Sequence, residues 1–392
     1  LEDKLGSRSF ILVLLITFLM YTVYNILIVI LPLHISNIGG NSTEMGLVVS
    51  LFAIAALISR PVAGYLLDKH GREKIYILGL ISISVITAFF CLPLTIILLL
   101  GVRFLQGFVW GITSTSNSAL TVDIVPKSLM IHGWRYFVFA QSLTMAVGPI
   151  IGSFIMLSFN FTVAAVLVTA VLLASLVLSK LIKYPKFETP ETVMEKKFSV
   201  KEMFEKNALF PSLLATLIFM TVGFTITFII IYGQKIGANG SLFFIGFVLM
   251  ILLSHPIENK FNQKYGHKAI LIISPISIIL ALVILSYANG IMPLIIASLF
   301  YGFGYGTVIP ILQTWAVKAS PADRVGAANG TYLASLDVGV ALGALVFGAI
   351  SGYIGLAKTF TISSICMVVF MVLYLSNIHL KKKKSKGIKN IS

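Results

Sequence analysis

Apolar residues fill this chain in blocks of about 18–25, separated by short polar breaks and without a two-residue alternation. A block of that length crosses the hydrocarbon core of a bilayer as a helix, since about 20 residues at about 1.5 Å each cover about 30 Å. Twelve spans are predicted, at 9–33, 45–67, 75–92, 95–120, 134–158, 161–182, 209–232, 241–260, 269–288, 293–317, 327–352 and 359–379. Barrel strands would be shorter and would alternate, so a barrel is excluded. The longest polar stretch, residues 183–208, is rich in Lys and Glu and falls between spans six and seven. The pattern predicts an all-α membrane protein of twelve transmembrane helices in two pseudo-symmetric six-helix bundles. The first bundle is expected at 1–182, a linker at 183–208, the second bundle at 209–380 and a basic tail at 381–392. Residues near Val200–Lys206 are expected to form an amphipathic helix on the membrane surface.

The two halves repeat each other. Residues 59–74 read SRPVAGYLLDKHGREK, and residues 254–269 read SHPIENKFNQKYGHKA, 195 positions later. The same offset lays Arg103–Gly111 on Ser298–Gly306, Pro126 on Pro321 and Gly148 on Gly343. In a membrane protein built from two like halves, the seam between them is the expected place for a binding site.

Charge then sets the orientation. The formal net charge is +15, with 29 Lys and Arg. With both termini in the cytoplasm, 26 of the 29 fall on the cytoplasmic side, only Lys235 and Lys358 fall outside, and Arg103 lies within a span. This is the positive-inside bias of a multi-pass protein, here expected in a bacterial plasma membrane. It removes the nucleic-acid reading that the net charge invites. The Lys381–Lys384 run is expected beside anionic headgroups. Cys91 and Cys366 read as apolar packing residues. The first span is long for a cleaved leader and lacks a small-residue cleavage site, so it is expected to stay as a span. No Walker motif, catalytic triad or metal-ligand cluster is present, so neither an enzyme nor a cofactor or metal site is expected.

Three strings carry the candidate chemistry. The first is Gly64-x-x-x-Asp68-Lys-x-Gly71-Arg72 between spans two and three; the second is Arg103-x-x-Gln106-Gly107 in span four; the third is Ala146-Val-Gly148-Pro149-Ile-Ile-Gly152 in span five. They resemble the loop 2–3 signature and helix-4 motif of the major facilitator superfamily, and the helix-5 Gly-Pro motif of its proton-coupled exporters, the drug/proton antiporters. The resemblance covers nearly the whole chain. It implies a secondary transporter working by alternating access, with helices 1, 4, 7 and 10 lining the pathway and Arg103 linked to proton coupling.

The residues themselves add detail. Gly64 and Gly71 permit tight turning and close helix approach. Asp68 and Arg72 can pair, and Asp123 at the end of span four can join them; with Gly148 and Pro149 these form the expected conformational latch. Arg103 lies about eight residues into its span, too deep to reach water easily, and an ionisable group there is a functional candidate. It shares a helix face with Gln106, Trp110, Thr113 and Asn117, and is expected to face a water-filled crevice. Further cavity candidates are Tyr21, Tyr24 and Asn25 in span one, Thr221, Phe224, Thr225 and Phe228 in span seven, and Tyr301 and Tyr305 in span ten. Asp337, the carboxylate clearly inside a span, reads either as a protonation site or as a hydrogen-bonded packing residue beside Gly339 and Gly343.

The second copy of the loop signature is degraded: Asn259 replaces the glycine and Gln263 the acid. Span five opens with Met130-Ile-His-Gly-Trp-Arg-Tyr136 instead of a Gly-rich, acid-containing run. In the resembled fold the ends of helices 5 and 8 meet, so His132, Trp134 and Arg135 are expected to oppose Glu258, Asn259 and Gln263 as a gate. The expected function is export of a small organic molecule in exchange for protons, by a monomer in the lipid bilayer. With a deep cation and no acid in span one, the cargo is expected to be anionic, zwitterionic or neutral, an opine-type metallophore being one candidate. A broad-range multidrug exporter, a sugar efflux transporter and a transporter-like sensor that binds without transport are the alternatives.

Overall fold

A computed structural model of the chain describes residues 7–184, 204–321 and 324–389; the side chains of residues 127, 131, 255–265 and 380–389 lie outside the description. Every element among the described residues is helical. In lipid each backbone N–H and C=O needs an internal partner, and a helix supplies one within a single segment. The first six spans are α1 (Arg8–Asn37), α2 (Ser42–His70), α3 (Arg72–Ala88), α4 (Ile96–Ile124), α5 (Met130–Ser158) and α6 (Phe161–Ser179). Next come α7 (Leu209–Lys235) and a helix Leu242–Ser286 broken at Gly266. The break separates α8, whose described side chains cover Leu242–Ser254, from α9, Gly266–Ser286. The last three are α10 (Ile291–Lys318), α11 (Val325–Ile354) and α12 (Leu356–His379). Among the described residues eleven of these are long and apolar enough to cross a bilayer, and α8 is the shorter twelfth.

The chain divides into two compact units, Leu1–Met203 and Phe204–Ser392. The amphipathic helix expected near Val200–Lys206 lies mostly outside the described residues; at its described end Glu205 is extended and the chain then turns through a short 3-10 helix, Lys206–Ala208. Helix ends are closed by local chemistry. The Asn41 side chain accepts from the Glu44 amide while Glu44 accepts from the Asn41 amide, at 3.0 and 2.8 Å, a capping box that starts α2. Gly71 ends α2 and starts α3 at φ 82°, ψ 161°, and Gly266 does the same between α8 and α9 at φ 75°, ψ 165°. Side-chain-bearing residues are strained in that region, so the turn demands glycine in both copies.

Inside each unit the helices meet at matching registers. Gly107 of α4 lies against the backbone of Phe52 in α2, and Gly302 of α10 against that of Phe247 in α8. One turn on, Gly111 faces Ala56 and Ser59, and Gly306 faces Ile251 and Ser254. Gly148 of α5 sits on Asn25 and Ile26 of α1, and Gly343 of α11 sits on Met220 of α7. In all three pairings a shift of 195 carries the first unit's crossing onto the second's. Helices in lipid gain no hydrophobic drive from one another, so close approach at small residues and interhelical hydrogen bonds hold them.

Gly64 departs from expectation. It lies inside α2, and a Cβ built there meets nothing within 4 Å, so no close approach among the described residues depends on it. Gly107→Ala and Gly302→Ala would each push a methyl group into a neighbouring backbone. Each is expected to cost about 1–3 kcal/mol, read as a lowered Tm of the purified protein in detergent. Gly64→Ala is expected to leave Tm unchanged or raise it, since alanine is the better helix former. Equal losses at all three positions would contradict the crossing geometry.

Candidate functional site

The centre of the first unit's polar interior is Arg103, which is 1% exposed. Its Nε donates to the Val48 carbonyl of α2 at 3.2 Å, and one terminal nitrogen donates to Gln106 Oε1 at 2.5 Å. Gln106 Nε2 passes the chain on to Thr87 Oγ1 of α3 at 2.7 Å. The guanidinium carbon stands 3.9 Å from the centre of the Phe52 ring, a cation–π contact. No carboxylate among the described residues pairs with it. The group expected to face a water-filled crevice is therefore enclosed by α2, α3 and α4. A guanidinium has five N–H donors, and a buried one is stable only where acceptors or a ring face receive it; the α2 carbonyl and Phe52 do so here.

Beside it lies an aromatic cluster. Tyr24 stacks on Trp110 with ring centres 4.9 Å apart and planes at 13°, Tyr21 meets Trp110 edge-on at 5.0 Å, and Phe52 adjoins Tyr24 at 5.4 Å. The second unit has the same trio 195 positions later. Phe219, Phe247 and Tyr305 replace Tyr24, Phe52 and Trp110, with Tyr305 at 5.7 Å from Phe219 and 5.3 Å from Phe247. Sequence reasoning missed Phe219 and Phe247, although the offset that exposed the duplication points to both. Ser298 stands where Arg103 stands, so the second trio has a hydroxyl at the position of the first trio's cation.

Other cavity candidates are engaged inside their own unit. Asn117 is fully buried: its Oδ1 accepts from Tyr76 at 2.9 Å and its Nδ2 donates to Thr17 Oγ1 at 2.8 Å, tying α4 to α3 and α1. Asn25 Nδ2 donates to Thr144 Oγ1 of α5 at 3.0 Å. Phe224 and Phe228 lie in a ring cluster with Phe347 and Phe360, and Tyr301 packs on Phe243 and Phe247 with its hydroxyl 2.7 Å from Thr221 Oγ1. Tyr21, Tyr24 and Tyr305 remain half-buried.

The latch residues Asp68, Arg72 and Asp123 do come together. Arg72 Nε stands 2.8 Å from Asp123 Oδ2, and a terminal nitrogen lies 3.8 Å from Asp68 Oδ1. The group is partly exposed, so each pair contributes little to stability, about 0–1 kcal/mol. In the second unit Gln263, His267 and Lys318 occupy the corresponding positions, and the trio of charges has no counterpart in sequence. Of the expected gate, His132, Trp134 and Arg135 are exposed on α5, and Trp134 stacks on Phe137 at 5.0 Å. The side chains of Glu258, Asn259 and Gln263 lie outside the described residues. Asp337 is half-buried on α11, two residues before the Gly339 contact with Thr216 and Phe219 of α7.

Twin six-helix units, repeated crossings and a buried cation in the fourth helix define a membrane carrier. The Major Facilitator Superfamily family model matches residues 13–332 and 231–391, and the chain belongs to that superfamily. Its relatives are transporters. It is 23% identical over 363 residues to the multi-drug resistance efflux pump PmrA homolog of Lactococcus lactis, covering 89% of each chain. It is 22% identical over 386 residues to the staphylopine export protein of Staphylococcus aureus, covering 92% of this chain and 93% of that one. Among solved structures, a mutant of the nucleoside transporter NupG shares the fold with a TM-score of 0.76 at 15% identity, over 94% of this chain and 99% of the other.

Tyr76→Phe would leave the Asn117 carbonyl buried without its donor, at a cost of about 1–3 kcal/mol. The expected result is a lowered Tm with unchanged KM for any transported compound. A raised KM at unchanged Tm would return Asn117 to the binding surface.

Proposed function

We propose that this transporter exports a small organic molecule in exchange for protons by alternating access, as a monomer with both termini in the cytoplasm. The observation that carries the reading is Arg103: a deeply buried guanidinium without a carboxylate partner among the described residues, behind the half-buried Tyr21 and Tyr24. Its field raises the potential around the first aromatic trio, which disfavours cations and favours anionic, zwitterionic or neutral amphipathic cargo. A metallophore of the opine type fits that description, and the staphylopine exporter among the relatives supports it. The names of other relatives, the PmrA pumps and the quinolone resistance protein NorA, favour a second reading as a multidrug exporter.

In this reading Arg103 tunes proton coupling, and Asp337 on α11 carries the proton. Asp68, Arg72 and Asp123 latch the end of the first bundle, with Gly148 and Pro149 shaping α5. His132 and Arg135 act with Glu258 and Gln263 at the cytoplasmic gate. The latch is a low-cost ion-pair group, suited to breaking and reforming in each cycle.

Efflux from proteoliposomes under an imposed pH gradient tests the reading, using a panel of carboxylate-rich metabolites and amphipathic dyes. Arg103→Ala is expected to reduce gradient-driven flux by about tenfold or more while saturable binding persists. Asp337→Asn is expected to flatten the pH dependence of flux. Normal proton-driven flux in Arg103→Ala, or an unchanged pH profile in Asp337→Asn, removes that residue from coupling. Saturable binding without flux in the parent protein would favour a sensor.

A further inference from the structure

The segment entering α7 is bound to the start of α11 by an acid–base pair that the first unit does not have. Glu205 is 6% exposed although it closes a Lys- and Glu-rich stretch. Its Oε2 accepts from Arg324 Nε at 2.6 Å, and its Oε1 accepts from the Asn207 amide at 3.1 Å. The Glu205 amide donates to Thr331 Oγ1 of α11 at 2.9 Å. Arg324 also donates from a terminal nitrogen to the Phe204 carbonyl at 2.9 Å. The corresponding positions of the first unit hold Phe10 and Leu129, so the repeat cannot supply this pair.

The arrangement answers a local electrostatic problem. Arg324 stands at the N-cap of the 30-residue helix α11, where the positive end of the helix disfavours a cation. The Glu205 carboxylate offsets both charges. The Asn207 amide, and after it Arg324, hold the Glu205 carboxyl below the usual carboxylate range. Further along, α11 is pinned to α7 at three levels. Thr216 Oγ1 donates to the Ser335 carbonyl at 3.2 Å, Gly339 lies on Thr216 and Phe219, and Gly343 lies on Met220. These contacts bracket Asp337, and the Glu205–Arg324 pair sets where the series begins.

We propose that Glu205 and Arg324 clamp the end of the inter-bundle connection to α11 and so position Asp337 on the α7–α11 helix pair. Displacement of the connection is then transmitted to the helix that bears the proton site. The clause about the proton site rests on the function proposed above; the clamp and the positioning of residue 337 do not. Both residues are positioning groups.

The test uses the full-length protein in nanodiscs, with Cys91→Ser and Cys366→Ser as background. Hydrogen exchange over residues 204–212 and 324–335 reads the clamp. The rate at which N-ethylmaleimide labels the thiol introduced by Asp337→Cys reads the positioning. Glu205→Gln and Arg324→Gln are each expected to speed exchange in both segments by about tenfold and to change the labelling rate. The reciprocal pair Glu205→Arg with Arg324→Glu is expected to restore both in part, since it remakes the ion pair but not the bonds to the Asn207 amide and the Phe204 carbonyl. If a single variant does not fold, Glu205→Asp, which keeps the charge, and Thr331→Val, which removes one bond, take its place with smaller effects in the same direction. Unchanged exchange overturns the clamp. Faster exchange with unchanged labelling overturns the positioning of residue 337. Failure of the Asp337→Asn flux experiment, by contrast, touches only the assignment of the proton.

Discussion

Two helices can lie backbone against backbone only where one of them carries no side chain at the crossing. Several glycines meet that condition here, and six of them fall in three pairs separated by the same 195 residues. Lipid tails are as apolar as leucine, so burial against a neighbour brings no general advantage over burial in the membrane. What remains is contact at short range. The glycine at a crossing lowers the distance between axes, and every van der Waals and hydroxyl–carbonyl contact around it follows. The aromatic trios, the Arg103 network and the α7–α11 register are all set by these approaches.

Within that frame the two units have diverged in charge and kept their geometry. Gly71 and Gly266 hold the same uncommon backbone conformation, while Asp68, Arg72 and Asp123 correspond to Gln263, His267 and Lys318. The second unit has the hydroxyl of Ser298 where the first has the guanidinium of Arg103, and Glu205 and Arg324 where the first has Phe10 and Leu129. A backbone turn that strains any other residue resists drift. Partly exposed ion pairs contribute little to stability and can be lost or moved without cost to the fold. The difference between the halves therefore lies mainly in their charged residues.

The bundles and their repeat were legible because hydropathy and length decide a membrane span almost alone. The depth of Arg103 was legible for the same reason. Its surroundings were not, since the Val48 carbonyl and the Phe52 ring reach it from another helix and leave no mark in the local sequence. Asn117, Phe224, Phe228 and Tyr301 read as cavity wall because a polar or aromatic stripe on a membrane helix looks the same whether it faces water or bonds a neighbour. Glu205 was hidden by composition: in a Lys- and Glu-rich stretch a buried glutamate is indistinguishable from a solvated one. Phe219 could have been found by carrying Tyr24 forward along the repeat.

The hydrogen-bonded knot of Thr17, Tyr76 and Asn117 has a bearing on motion. Three helices joined by buried polar bonds cannot slide past one another without stranding a donor or an acceptor in hydrocarbon, where no solvent would receive it. Any rearrangement of the first unit that preserves these bonds keeps α1, α3 and α4 in their mutual packing, and one that separates them has to find new partners for the Asn117 amide, the Tyr76 hydroxyl and the Thr17 hydroxyl.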